Sequence, residues 1–259
     1  MSAPLALVTG ASGGIGEALA FEFARHGYDI ALCARSTDRL SAVAAHLAAE
    51  GAKTHVIAGN LAVPEGPQAL LQALDDLHLD VDVLVNNAGF GDMDPVAQAD
   101  CAKLTAMVDL NVRTLTALSC ALLPGMVERR RGGILNVAST AAYMPGPNMA
   151  VYYASKAYVL SFTEALHAEL RGSGVAASAL CPGPVRSGFQ DAAQMRGSLL
   201  LKLSPMMTPA QVAATGYRAF ASGKREVVPG LANKLMAASG RFSPKRLTMA
   251  LVKRLQTQT

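Results

Sequence analysis

Residues 5–23 read LALVTGASGGIGEALAFEF, and this stretch decides the fold. Residues 5–8 make a short apolar strand, four glycines crowd the turn that follows, and Ala18, Leu19, Ala20 and Phe23 then recur at helical spacing. A strand that enters a helix through glycines suits a dinucleotide. Glycine lets the backbone approach a pyrophosphate, and the helix N-terminus offers unpaired N–H groups and the positive end of its dipole. Gly10, Ser12, Gly14, Ile15 and Gly16 are therefore the first candidate cofactor contacts. Their spacing is G-x-x-x-G-x-G, not G-x-G-x-x-G. Gly10-Ala11-Ser12-Gly13-Gly14 also matches G-x-S-x-G, the elbow of a serine hydrolase with Ser12 as nucleophile. That alternative needs a histidine in a late loop, whereas His26, His46, His55, His78 and His167 all fall in or beside predicted helices and strands. An elbow ten residues into the chain also leaves little chain before it to build an oxyanion hole.

Working outward, residues 28–34 predict a second buried strand ending in Arg35. At this strand tip an acidic residue would bind the 2′-hydroxyl of NAD, whereas arginine accommodates the 2′-phosphate of NADP; Ala34-Arg35 thus favours NADP(H) over NAD(H). Strands are expected over 53–59, 81–85, 134–138 and 175–180, with a short seventh at 226–228. Helices are expected over 36–50, 64–78, 100–130, 152–171 and from Thr208-Pro209 to Ser222-Gly223. Asn60 and Leu61 follow the third strand, and Asn86-Asn87-Ala88-Gly89 follow the fourth, where small residues let backbone approach a ligand. Asn111 falls mid-helix, where asparagine is disfavoured and invites a functional question. Strands alternating with helices imply an α/β fold, a doubly wound, Rossmann-type parallel sheet of about seven strands in one domain. That domain is expected over 1–229, with 230–259 as a basic helical extension.

A second cluster carries chemistry. Ser139 follows the fifth strand, Tyr152 lies thirteen residues on, and Lys156 sits at i+4 from Tyr152. On a helix the i and i+4 side chains share a face, with Cβ atoms about 5–6 Å apart. An ammonium roughly 5 Å from a forming phenolate is worth about 3 kcal/mol at an effective dielectric near 20, or roughly two units off a pKa of about 10. The spacing therefore predicts a tyrosine whose pKa is lowered by Lys156. Tyr153 has no lysine at i+4.

Together these motifs resemble the short-chain dehydrogenase/reductases over residues 5 to about 229: the TGASGGIG turn, NNAG at 86–89, Asn111, Ser139, the YxxxK of Tyr152 and Lys156, and PGPVRS at 182–187. The resemblance implies that Ser139 hydrogen-bonds a substrate carbonyl, which Tyr152 protonates as nicotinamide delivers hydride. It also implies that Lys156 holds the nicotinamide ribose and that Asn111 positions a water beside the lysine. Asn87, Ala88, Gly89, Pro182, Gly183, Val185 and Ser187 would complete the cofactor site with Tyr152 and Lys156. Two departures stand out. Asn60 replaces the family's usual Asp at the adenine amine, where its side-chain oxygen could still accept, and Gly13 stands where many NADPH-using members carry Lys or Arg. A dinucleotide-binding regulator without turnover is the alternative from another class.

With 51% hydrophobic and 16% charged residues, the chain is no disordered polymer and has apolar residues for a sheet buried on both faces. Cys33, Cys101, Cys120 and Cys181 show no metal-ligand spacing, so buried free thiols and no metal are expected. The start lacks a leader pattern and no run of eighteen uninterrupted apolar residues occurs, so a cytoplasmic protein, at most peripheral to membrane, is expected. Charge is uneven: residues 224–259 carry +7 and the rest −3. Leu247, Leu251 and Leu255 repeat at i, i+4 and i+8 among Lys245, Arg246, Lys253 and Arg254. That tail reads as a surface helix for anionic membrane, a helix packed across the substrate mouth or a subunit interface, or a solvated end. No nucleic-acid platform is evident. Phe189, Met195, Leu199, Leu200, Leu201, Met206 and Met207, in the aperiodic stretch 188–207, suggest a lid over a hydrophobic carbonyl or alcohol substrate. A homodimer or homotetramer is expected.

Overall fold

The computed structural model describes residues 3–189 and 206–255. Seven strands, β1 (Leu5–Thr9), β2 (Asp29–Ala34), β3 (Thr54–Ala58), β4 (Val83–Asn86), β5 (Gly133–Val137), β6 (Ala176–Leu180) and β7 (Glu226–Val227), form one sheet in the order β3-β2-β1-β4-β5-β6-β7. Every pairing is parallel. The order reverses between β1 and β4, and in such sheets ligands bind outside the carboxyl ends at that switch.

Alternation along the central strands supplies two apolar faces. Ala6, Val8, Ile30, Leu32, Val83, Val85, Leu135 and Val137 pack with Leu19, Phe23, Leu40, Leu47, Val212 and Phe220. These come from α1 (Gly14–Arg25), α2 (Thr37–Ala49) and α7 (Pro209–Ala221). Leu5, Leu7, Ala31, Cys33, Leu84 and Ile134 point the other way, onto Leu70, Leu74, Leu118, Met126 and Leu166. Those belong to α3 (Gly66–Asp76), α5 (Leu115–Arg129) and α6 (Ala150–Glu169). Phe23 joins α1 to α7 edge-on, with ring centroids 5.2 Å from Tyr28 and 5.0 Å from Tyr217.

Local chemistry sets the ends. Ser36 Oγ accepts from Arg39 N at 3.4 Å to start α2, and Thr208 with Gln211 closes a capping box on α7 ahead of Pro209. The expected helix over 100–130 is three pieces: α4 (Cys101–Val108), a π-helical turn (Asp109–Thr114) and α5. By length and composition Cys101–Arg129 could cross a membrane, yet Met107, Thr114, Leu118 and Met126 are buried within this fold. Beyond β7 the chain forms α8 (Leu231–Phe242) and α9 (Lys245–Leu255), separated at Ser243-Pro244. Cys33 and Cys181 are buried, but Cys101 and Cys120 are exposed on α4 and α5 and correct the expectation of buried thiols throughout. Among the described residues no His, Cys, Asp or Glu cluster could hold a metal ion.

Candidate active site

The carboxyl ends of β1 and β4 are tied together before any ligand is considered. Thr9 Oγ1 donates to Val85 O (3.2 Å) and accepts from Asn87 N (3.1 Å) and Ala88 N (3.0 Å). Asn87 Nδ2 donates to Thr9 O (2.9 Å) and Gly10 O (3.2 Å). Glycine is obligatory in this turn: Gly10 (φ +66°) and Gly14 (φ +61°) adopt left-handed backbone, and a Cβ on Gly16 would lie 2.3 Å from Gly10 O. Helix α1 begins without a side-chain cap. Its N-terminal residues Gly13, Gly14 and Ile15 border a cavity of about 450 Å³, a size suited to a ligand site. This is a cradle that fits an anionic dinucleotide.

Arg35 and Arg39 line the same end. A Cβ on Gly13 would come within 2.7 Å of an Arg39 guanidinium nitrogen, so Arg39 occupies the space that a side chain at position 13 would fill. The sequence reading missed Arg39, because a cation one turn into an exposed helix resembles any solvated arginine.

Ser139, Tyr152 and Lys156 meet at the far side of that cavity. Ser139 Oγ accepts from Ala141 N at 3.1 Å, which starts an unforeseen 3₁₀ turn over Thr140–Tyr143. Lys156, only 6% exposed, donates from Nζ to Val137 O at 2.9 Å and lies 5.8 Å from the Tyr152 ring centroid. Burial lowers its pKa from the ordinary 10.5 to about 8. Burial pushes Tyr152 up to about 12, opposed in part by its hydrogen bond with Ser139. The expected lowering of the tyrosine by the lysine is therefore overturned. Desolvation of the phenol outweighs the opposing hydrogen bond with Ser139, and the Lys156 ammonium is turned onto the β5 carbonyl of Val137.

Asn111 sits behind the wall rather than in it. Its Oδ1 accepts from Phe90 N (3.2 Å), and its Nδ2 donates to Phe90 O (3.0 Å) and Ser155 Oγ (3.0 Å). Gly89 separates it from the cavity; a Cβ there would lie 3.0 Å from Asn111 Oδ1 and 3.5 Å from Lys156 Nζ.

Gly10, Ser12, Gly14, Ile15, Arg35, Asn87, Ala88, Gly89, Pro182, Gly183, Val185 and Ser187 all border the cavity with Ser139, Tyr152 and Lys156, whereas Asn111 does not. Gly16, Asn60 and Leu61 do not. Gly16 serves the close approach of helix and turn. The exposed Asn60 accepts from Ala62 N at 3.1 Å through Oδ1, and Leu61 is core, its carbonyl bonded by Thr114 Oγ1 at 2.7 Å. The histidines all lie elsewhere, which removes the hydrolase reading of Ser12.

Beyond Tyr152 the wall is apolar. Met93, Ala141, Met149, Tyr153 and Val252 cluster, with Met144 and Phe189 against them, and the Phe189 ring lies 5.5 Å from that of Tyr152. Val252 and Thr248 bring α9 onto the cavity and Met236 and Ser239 bring α8, so the tail packs across its apolar end. Val185 and Met207 pair as an isolated parallel bridge, with Arg186 N donating to Met207 O at 3.0 Å. The lid candidates Met195, Leu199, Leu200 and Leu201 lie outside the described residues.

A family model described as short chain dehydrogenase matches residues 4–196. The chain belongs to the short chain dehydrogenase family. This short chain dehydrogenase is 36% identical over 183 residues to the very-long-chain 3-oxoacyl-CoA reductase of Anas platyrhynchos, an overlap covering 68% of this chain and 58% of that one. It thus spans about three fifths of the length of such relatives. Among solved structures it is similar to a short-chain dehydrogenase from Sphingobium yanoikuyae in complex with NADPH (30% identity, TM-score 0.82, 92% of each chain). It is similar also to a short chain dehydrogenase/reductase from Burkholderia phymatum in complex with NAD (26% identity, TM-score 0.82, 100% of this chain and 98% of that one). The short chain dehydrogenase shares its doubly wound sheet with both.

Proposed function

We propose that this chain is an NADP(H)-dependent oxidoreductase acting on the carbonyl or secondary alcohol of a hydrophobic substrate. The observation that carries the reading is one cavity bordered at one end by the glycine turn, Arg35 and Arg39, at the other by Met149, Tyr153 and Val252, and between them by Ser139, Tyr152 and Lys156. A bound nicotinamide supplies or accepts the hydride. Ser139 donates a hydrogen bond to the substrate oxygen and so orients the carbonyl. Tyr152 gives its proton to that oxygen as the carbon is reduced. With a pKa near 12 the phenol is protonated at neutral pH and can serve as the general acid of the reduction. Lys156, with a pKa near 8, is mostly cationic at pH 7 and would hold the ribose hydroxyls. Asn111 acts as a positioning residue through Gly89 and Ser155.

NADP(H) is favoured by two guanidinium groups at the adenosine end, and by the NADPH held by the Sphingobium relative; the Burkholderia relative holds NAD, so the choice rests on Arg35 and Arg39. The test is NADPH oxidation over a panel of apolar ketones. Tyr152→Phe should lower kcat/KM roughly 10²- to 10⁴-fold while NADPH binding stays within about twofold. Unchanged turnover in the variant sinks the mechanism. Tight NADPH binding by the wild type without turnover of any ketone would favour the regulator.

A further inference from the structure

The three most exposed large apolar side chains among the described residues are Phe242 (83%), Leu231 (75%) and Leu235 (65%). All lie on α8. At about 100° per residue, these three and the exposed Ala238 fall in a stripe roughly 60° wide. Asn233 and Ala237, on the opposite side of the helix, are buried, and Asn233 Nδ2 donates to Pro229 O at 2.8 Å. Gly240 lets the helix press on the 3₁₀ turn, since a Cβ there would lie 2.6 Å from Met144 Cε. The helix is therefore anchored by one side and holds its most apolar side in water, the reverse of an ordinary surface helix.

Charge says what this stripe meets. No Asp or Glu follows Glu226. Lys234 flanks the stripe on α8, and Lys245, Arg246 and Arg254 are exposed on α9. Arg241 is engaged, with Glu226 at 3.4 Å and Glu164 at 3.7 Å. A second copy packed here about a two-fold axis would set two such basic surfaces against each other, which opposes association. An anionic lipid surface satisfies both features at once.

We propose that α8 and the cations of α9 dock this chain on an anionic lipid surface. Leu231, Leu235 and Phe242 enter the boundary between headgroups and acyl chains, and Lys234 with Lys245 and Arg246, which follow Phe242 closely in the chain, face lipid phosphates. The apolar part of this surface is the α8 stripe, not the leucine repeat of residues 247–255 that the sequence pairs with the same cations. Helix α8 has two working sides: the stripe faces out, while Met236 and Ser239 border the cavity. Docking would thus hold the apolar end of the cavity near the bilayer; this last link rests on the function proposed above, whereas the docking does not.

The test is sedimentation of the full chain with vesicles of phosphatidylcholine alone and of phosphatidylcholine containing phosphatidylserine. The protein should pellet with the anionic vesicles only and be released by salt. Leu235→Ser with Phe242→Ser should abolish pelleting, and Lys245→Gln with Arg246→Gln should weaken partitioning roughly 25-fold. Circular dichroism and NADPH binding report whether each pair stays folded. No pelleting with anionic vesicles overturns the proposal, as does pelleting that neither pair diminishes. In lipid-free sedimentation velocity, a wild-type oligomer that the Leu235/Phe242 pair converts to monomer, without vesicle binding by the wild type, would assign the stripe to a second copy instead.

Discussion

At Gly13 the chain offers a phosphate no side chain, and Arg39 reaches back from α2 to cover the gap. Both Arg35 and Arg39 are exposed, so each should be worth less than a buried charged hydrogen bond. Arg39→Ala is expected to raise the Kd for NADPH roughly 5- to 20-fold and leave that for NADH within about twofold. Fluorescence titration of both cofactors checks this, and an equal loss for both would remove Arg39 from the 2′-phosphate seat. Lys156 makes a prediction about stability. Its folded pKa is depressed from 10.5 to about 8, so between those values the unfolded chain binds more protons than the folded one. The stability associated with this lysine is thus fully present above about pH 10.5 and lost as pH falls through about 8. In Lys156→Met the relief of a buried charge, about 3 kcal/mol at pH 7, is offset by an unpaired Val137 carbonyl, about 1–3 kcal/mol. The trend is therefore more diagnostic than the level. Wild type should gain about 2 kcal/mol on the variant from pH 7 to pH 10, measured by denaturant unfolding, and a flat difference would contradict the buried cation.

Among the elements, the π-helical turn between α4 and α5 does the most unusual work. A regular helix would carry Asn111 as a weak interior residue; the widened turn instead aims its amide at Phe90 and Ser155, joining the loop after β4 to α6. Asn111→Leu should cost about 2–4 kcal/mol, since it leaves the Phe90 N–H and C=O and the Ser155 hydroxyl short of partners. Because the same loop carries Gly89 beside Lys156, kcat should also fall roughly tenfold or more. Denaturant unfolding and steady-state kinetics read the two effects separately, and stability loss with kcat intact would make Asn111 purely structural. The asparagine was legible in the sequence as an anomaly. The π turn was not, and neither were the partners of Asn111, because Phe90 and Ser155 are distant from it in the chain.

Over the whole molecule, the glycine turn and the C-terminal helices close the cavity from opposite ends. Removing residues 244–259 takes away Val252 and Thr248 and uncovers Met93, Met149 and Tyr153. Each apolar side chain left in water forfeits about 1.5–3 kcal/mol of burial, and an apolar substrate loses the wall it would rest on. The KM for a hydrophobic ketone should therefore rise about tenfold or more, with the Kd for NADPH within about twofold, because Val252 packs on Met93, Met149 and Tyr153 at the apolar end. Parallel loss of NADPH binding would mean that the tail supports the entire fold rather than one end of the cavity.

The order of strands and helices, the glycine turn, and the Ser139, Tyr152 and Lys156 spacing are properties of short stretches. Hydrophobic period and the left-handed freedom of glycine act over a few residues, so the sequence alone determined them. The tertiary structure decided where each side chain is spent. Asn87 binds Thr9 and Gly10, Asn60 and Leu61 stand outside the cavity, and Arg39 covers Gly13. Asn86, Asn136 and Thr163 form a buried hydrogen-bonded row that no local pattern signals. Tyr152 and Lys156 share a helix face as their spacing requires, but the leading influence on the pKa of each is desolvation by the surrounding fold. Burial is a property of the assembled fold; a four-residue spacing brings two groups together but cannot state how much water surrounds them.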